Sequence, residues 1–193
     1  MELDPDVLYS IDVDVRGGFA DRPDIIADTL ERMQGDELIE DGQEEAAEAA
    51  IEAAVDAALH ARSLDQASWP AVTDCDRLDA VFDALTAEGV IALQNAGYTQ
   101  SDGWGDIVEA RAEADDPGAF HGYCFFHGQD LERAVHGQGL FLAFGSIDGD
   151  DDTEGVKVGE RVVELLKGAG FRVEWGGTFK TRIFIPDFDW KRR

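Results

Sequence analysis

Apolar and polar positions follow two rhythms along this chain. Over the first 69 residues the rhythm is helical. Val7, Leu8, Ile11 and Val15 recur three or four apart, although Val7, Tyr9, Ile11, Val13 and Val15 also alternate as a strand would. The flanks favour a helix: Gly17-Gly18 suits a C-terminal cap, and Asp21-Arg22-Pro23-Asp24 suits the opening of a second helix. There Asp21 can cap free amides, and Pro23 needs no N–H partner in the first turn. Ile25, Ile26, Leu30 and Met33 give that second helix one apolar face. A third, Ala-rich helix is expected over residues 42–62, with Ala47, Ile51, Val55, Ala58 and Leu59 inward. Its other face carries Glu44, Glu45, Glu48, Glu52 and Asp56.

From Thr73 the rhythm changes. Thr73-Asp74-Cys75-Asp76 reads as a capping box with Asp in place of Glu, and it opens a helix striped by Leu78, Val81, Phe82 and Leu85. Gly89 ends that helix and Val90-Ile91-Ala92-Leu93 follows as a strand. A polar turn at Ser101-Asp102-Gly103 then leads into a helical stretch to Ala114. Residues 122–127 and 140–144 are continuous apolar runs, the pattern of strands covered on both faces. Between them lies a short helix over residues 129–135. A longer helix over 154–167 carries Val158, Val162, Leu165 and Leu166, and residues 171–175 and 181–185 flank Gly176-Gly177 as a terminal hairpin. Such alternation predicts an α/β fold: an N-terminal helical segment, then a mostly parallel five-stranded sheet covered by helices, with the last strand antiparallel.

Charge sharpens the division. Lys and Arg number 16 against 42 Asp and Glu, a formal net charge of -26. Residues 1–69 hold 19 acidic and 4 basic side chains. Together with Trp69-Pro70, where the residue before proline is pushed out of helical geometry, this shift places a boundary near residue 70. The expected organisation is an acidic helical segment over 1–69 and an α/β domain over 70–193. A field this negative repels phosphate, which excludes nucleic acid and anionic membranes as favoured partners. The acidic, proline-broken start has no basic n-region, and no apolar run approaches the roughly 18 to 20 residues of a membrane span. A cytoplasmic protein with Cys75 and Cys124 as free thiols is expected. The excess of Asp, Arg and Ala fits a GC-rich bacterial genome or a halophile.

Candidate chemistry is sparse. His121, Cys124 and His127 have H-x2-C-x2-H spacing, but on a strand the cysteine faces away from both histidines. The histidines themselves would then stand about 20 Å apart, too far to share an ion. No metal and no cofactor is expected. His127 ends a central strand, where open α/β sheets bind ligands, and Asp130 or Glu132 could orient its imidazole or act as acid/base partner. Asp130 is equally suited to cap the following helix. The acidic run from Asp148 to Glu154 fails as an EF-hand, with Thr153 where glycine is needed and Gly159 where a bidentate glutamate is needed. Neither nucleotide-cradling glycine motif occurs, and no serine sits in a nucleophile elbow. Trp104, between Gly103 and Gly105, suits either an aromatic anchor for a partner or packing over a sheet edge.

Several of these stretches resemble an uncharacterised bacterial family, a domain of unknown function. They are Thr73 to Leu78, Gly122-Tyr123 through Phe125-Phe126-His127, Gln129-Asp130 with Glu132-Arg133-Ala134, and the ending Asp189-Trp190-Lys191-Arg192-Arg193. The resemblance covers most of residues 70–193 and, more loosely, the acidic helices. It implies no assigned activity. Many members carry a cysteine cluster after the first strand, where this chain has Gln94-Asn95-Ala96-Gly97-Tyr98-Thr99; that departure removes any metal or redox role such a cluster would imply.

Two functions follow as expectations. The first is a non-enzymatic protein-binding or regulatory module, immunity- or antitoxin-like, that meets a basic protein through its acidic surface. Glu44, Glu45, Glu48, Glu52, Asp56 and Trp104 are its candidate contacts, set against the simpler reading of a solvated helix exterior. The alternative is a small hydrolase or transferase with a site at His127, Asp130 and Glu132.

Overall fold

A computed structural model describes residues 1–149 and 152–193. The chain divides into two compact units, Met1–Ala71 with Lys191–Arg193, and Val72–Trp190.

The first unit is built from three helices: α1 (Pro5–Gly17), α2 (Arg22–Gly35) and α3 (Glu44–Gln66). In α1 the helical reading prevails over the strand-like alternation. Val7, Ile11 and Val15, four apart, go inward, while Leu8 and Tyr9 stay exposed. Asp4 caps α1 by accepting from the Asp6 amide at 2.9 Å, and Gly18 ends it in the left-handed region. Asp21 caps α2 in the same way, accepting from the Asp24 amide at 3.2 Å. The inward faces meet in an aliphatic core that includes Ile11, Val15, Ile25, Met33, Ile51 and Val55.

The second unit is α/β. Its elements among the described residues are α4 (Asp74–Ala87), β1 (Val90–Leu93), α5 (Gln100–Glu113), β2 (Gly122–Phe125), α6 (Gly128–Val135), β3 (Leu140–Ser146), α7 (Asp152–Gly168) and β4 (Ile183–Ile185), with a 3₁₀ turn at Pro117–Ala119 before β2. The capping box that opens α4 has both bonds: Thr73 N–H to the Asp76 carboxylate at 2.7 Å, and Asp76 N–H to the Thr73 hydroxyl at 3.2 Å. α4 and α7 cover one sheet face. The main core lies there, around Leu78, Phe126, Leu142 and Leu166. α5 covers the other face over Ile91, Phe125 and Ala143, and it packs so closely that a Cβ at Gly103 would collide with the Phe125 ring.

Three expectations need correction. Among the described residues the sheet has four strands in the order β1-β2-β3-β4, and only β1 and β2 are parallel. β3 returns antiparallel to β2, with Phe125 opposite Ala143 and Gly122 opposite Ser146. The connection over residues 126–139 is long enough for a crossover, but α6 packs against β3, the strand it leads into, so the chain doubles back at the end of β2. The terminal hairpin also shrinks: β4 pairs with β3, and of residues 171–175 only Glu174 bridges to Phe184. Phe171 is drawn into the core and stacks on Phe188, which takes that segment off the sheet edge. Lastly, Ser101-Asp102-Gly103 is the first turn of α5 rather than a loop. Thr99 and Asp102 form a second capping box, with bonds of 2.9 and 3.4 Å. Asp150 and Asp151 of the acidic loop lie outside the described residues.

Candidate functional site

β2 ends at Phe125 and the chain leaves it through Phe126 into His127, the N-cap residue of α6. Asp130 stands at the third position of that helix, and its carboxylate reaches back to the His127 N–H at 3.5 Å. The local rule that places an acid three residues after a helix cap thus also places a carboxylate beside an imidazole. His127 Nε2 lies 3.0 Å from Asp130 Oδ2. Both side chains are enclosed, at 4% and 1% relative exposure.

A third member comes from far along the sequence. Arg182, just before β4, donates from Nη1 to both Asp130 oxygens at 2.8 and 2.9 Å and lies 3.2 Å from His127 Nε2. Its guanidinium also covers the Phe141 ring at 4.8 Å, and Phe141 stacks on Phe184 at 4.2 Å. Burial lowers the imidazole below its ordinary value. The Asp130 charge opposes that shift, Arg182 reinforces it, and the Tyr98 backbone and Asp102 give smaller upward pulls. Burial raises the Asp130 carboxyl above the usual carboxylate value, against the pull of Arg182 and then of His127. The arrangement is a buried carboxylate held by one permanent cation and one neutral imidazole. The Nε2–H tautomer, inferred from these contacts, donates to Asp130. Among the described residues the enclosed Nδ1 has no partner in normal hydrogen-bond geometry.

The neighbouring loop is pinned to this corner. Gly128 N–H donates to the Gly97 carbonyl at 2.9 Å and Gln129 N–H to the Tyr98 carbonyl at 3.2 Å. Glu132 turns away from the histidine and accepts from the Tyr98 hydroxyl at 3.0 Å. Of the three candidate acid/base residues, His127 and Asp130 therefore meet, while Glu132 serves a different contact. Arg182 was missed. Its only signal is a lone cation opening the apolar run Ile183-Phe184-Ile185, and its partner becomes visible only once β4 is known to pair with β3 beside α6.

The other candidates are dispersed. Cys124 is fully buried in the main core, where burial pushes its thiol up, and His121 is exposed at the opposite end of β2. Among the described residues no three His, Cys, Asp or Glu side chains are grouped so as to hold a metal. Cys75 and Cys124 are both free thiols. Glu44, Glu45, Glu48, Glu52 and Asp56 are all exposed on α3. Asp56 is engaged at 2.6 and 3.0 Å by Arg22, which lies 3.8 Å from Glu52, so the acid open to a partner is concentrated at the start of the helix. The same pair holds the Asp56 carboxyl below its ordinary value. Trp104 is 42% exposed and rests edge-on against Tyr123 at 5.0 Å, so it both packs on the sheet and presents an indole surface. Among the described residues no helix is long and apolar enough to cross a membrane.

No curated protein and no solved structure matches this chain. A family model does match, over residues 2–193 and so across both units. With its helical unit and its α/β unit alike inside that match, the chain belongs to the family described as Domain of unknown function (DUF6891).

Proposed function

We propose that this chain is a non-enzymatic, cytoplasmic binding module whose acidic helical unit recognises a basic protein. An immunity- or antitoxin-like inhibitor, whose carboxylates stand in for the phosphates of a cationic target's substrate, is its concrete form. One observation carries the reading: 19 acidic side chains against 4 basic ones in the first 69 residues, with none of the acids buried. Such a surface accelerates encounter with a cationic partner and rejects polyanions. The corner at His127 supports the same choice. Its Nε2 is taken up by the Asp130 carboxylate with the Arg182 guanidinium beside it, which suits a polar bolt between α6 and the chain entering β4. The two free thiols fit a reducing compartment.

The test is affinity capture from the native lysate at low and high salt, run beside a variant in which Glu44, Glu45 and Glu48 are changed to Gln. A basic protein held at low salt, released at high salt and lost by the variant is the expected result. Capture that ignores both salt and the three substitutions, or the absence of any basic protein, overturns the reading.

A further inference from the structure

Lys191-Arg192-Arg193 is a run of three among only 16 basic residues, and it folds with the most acidic part of the chain. The Arg192 carbonyl accepts from Arg62 Nη2 of α3 at 2.5 Å, and the Arg192 guanidinium lies 4.4 Å from the centre of the Phe19 ring. Arg193 donates to the Pro70 carbonyl and covers the Trp69 ring at 5.9 Å. Two arginines on two aromatic faces, with one main-chain bond on each side, is the way an arginine-bearing peptide is held by a receptor surface.

The occupant lies against a helix cap. At Gly18, the left-handed cap of α1 with φ +74°, a Cβ would stand 2.7 Å from Arg62 Nη2 and 3.2 Å from Arg192 Cγ, so the bare cap lets both arginine side chains close over it. α3 ends without a basic residue in its last turn, leaving the negative end of its dipole unanswered from within the helix. Arg193 stands beside Trp69, in the segment that follows that end. The recognition elements are two ring faces and the Pro70 carbonyl, which take arginine side chains, and the Arg62 guanidinium, which takes the segment's main-chain carbonyl, so no longer sequence is needed.

We infer that Phe19, Arg62, Trp69 and Pro70 form a docking site for an arginine-bearing basic segment, which residues 191–193 of this chain occupy in cis. This rests on the proposal of a basic partner and deepens it: the partner presents consecutive arginines and competes with the chain's own segment. A tethered occupant acts at high effective concentration and lowers the apparent affinity of an external one by the fraction of sites left open.

The experiment measures binding of a synthetic acetyl-Trp-Lys-Arg-Arg-amide peptide by the full chain and by its Arg192→Ala/Arg193→Ala variant. The variant is expected to bind about tenfold more tightly or better, and adding Phe19→Ala and Trp69→Ala is expected to abolish binding. Equal affinity in the two chains, or binding that survives loss of both aromatics, overturns the inference. The wild-type chain provides a reading without substitution. Excess peptide should shift the amide resonances of Phe19, Trp69, Arg192 and Arg193 together, and resonances that stay in place while others move have the same negative meaning. If the Glu44/Glu45/Glu48 variant loses the basic partner while the tail variant changes nothing, the acidic-surface proposal stands and this site falls. If the tail variant gains peptide affinity but no basic protein is captured, the outcome is reversed.

Discussion

The helical unit and the α/β unit treat charge in opposite ways. The helical unit has the denser acid, yet it keeps every carboxylate in contact with water, and Thr29 is its one buried polar side chain among the described residues. The α/β unit buries Asp130 to 1% and builds a partner set around it. Their interiors differ accordingly. The first is aliphatic, with α1, α2 and α3 closing on Ile and Val; the second is rich in aromatics, with Phe82, Phe126 and Trp190 meeting edge to face. Charge density and charge burial therefore point to different places. The first marks the exposed surface on which the proposal of a basic partner rests, and the second marks a position where a buried ion has to be paired.

The largest effect that would break this contrast is expected at Asp130. Asp130→Ala leaves the buried His127 and the 32% exposed Arg182 without their anion, and the loss should approach, less the solvation regained by Arg182, the ~3–5 kcal/mol of breaking a fully buried pair, read by urea unfolding. A double-mutant cycle with Arg182→Met should show strong coupling, whereas additivity would mean that the ion pair does not hold the corner. Next in size, Ile51→Ala in α3 should cost about 2–5 kcal/mol, as a fully buried aliphatic side chain does when truncated. A much smaller loss would show that the helical unit lacks a packed core.

The pH dependence comes third. Burial holds the His127 imidazole below its ordinary value near 6.5, so as the pH falls through that value the unfolded chain takes up a proton that the folded chain does not. Stability drops with a slope of up to about 1.4 kcal/mol per pH unit. Asp130 acts with the opposite sign further down, because its raised carboxyl binds a proton in the folded chain first. His127→Gln should flatten the upper part of this profile in urea melts between pH 8 and 5; an unchanged slope would mean that the imidazole is not buried in neutral form.

Two smaller effects complete the comparison. Thr73→Ala removes one of the two bonds of the α4 capping box and should cost about 1 kcal/mol, seen as a lower urea midpoint. Glu48→Gln on the acidic face should change stability by less than about 0.5 kcal/mol. A loss comparable to that of Asp130→Ala would contradict the reading of that face as a surface held for a partner.

Much of the local structure was legible in the sequence because it depends on short-range rules. The Asp21 cap, the Thr73–Asp76 box and the stop at Gly89 each need only a few neighbouring residues, and the stripes of α2, α3 and α4 need only a period. Thr99–Asp102 obeys the same capping rule but was hidden by its resemblance to a turn, since Ser, Asp and Gly favour both. Strand direction was not legible. The connection over residues 126–139 is long enough for either direction, and the choice turned on α6 packing against β3, a tertiary contact that leaves no mark on local periodicity.

The sequence by itself determined the helices, their caps, the acidic face of α3, and the pairing of His127 with Asp130, which three residues of helix geometry impose. Only the tertiary structure decided that β3 runs antiparallel, that Arg182 arrives 52 residues later to hold Asp130, and that Lys191–Arg193 fold with the helical unit. The reason is the range of the forces involved. Capping and periodicity act between neighbours and are written locally. A buried ion's partner is chosen by whichever cation the folded chain brings within about 3 Å, and that choice belongs to the whole fold.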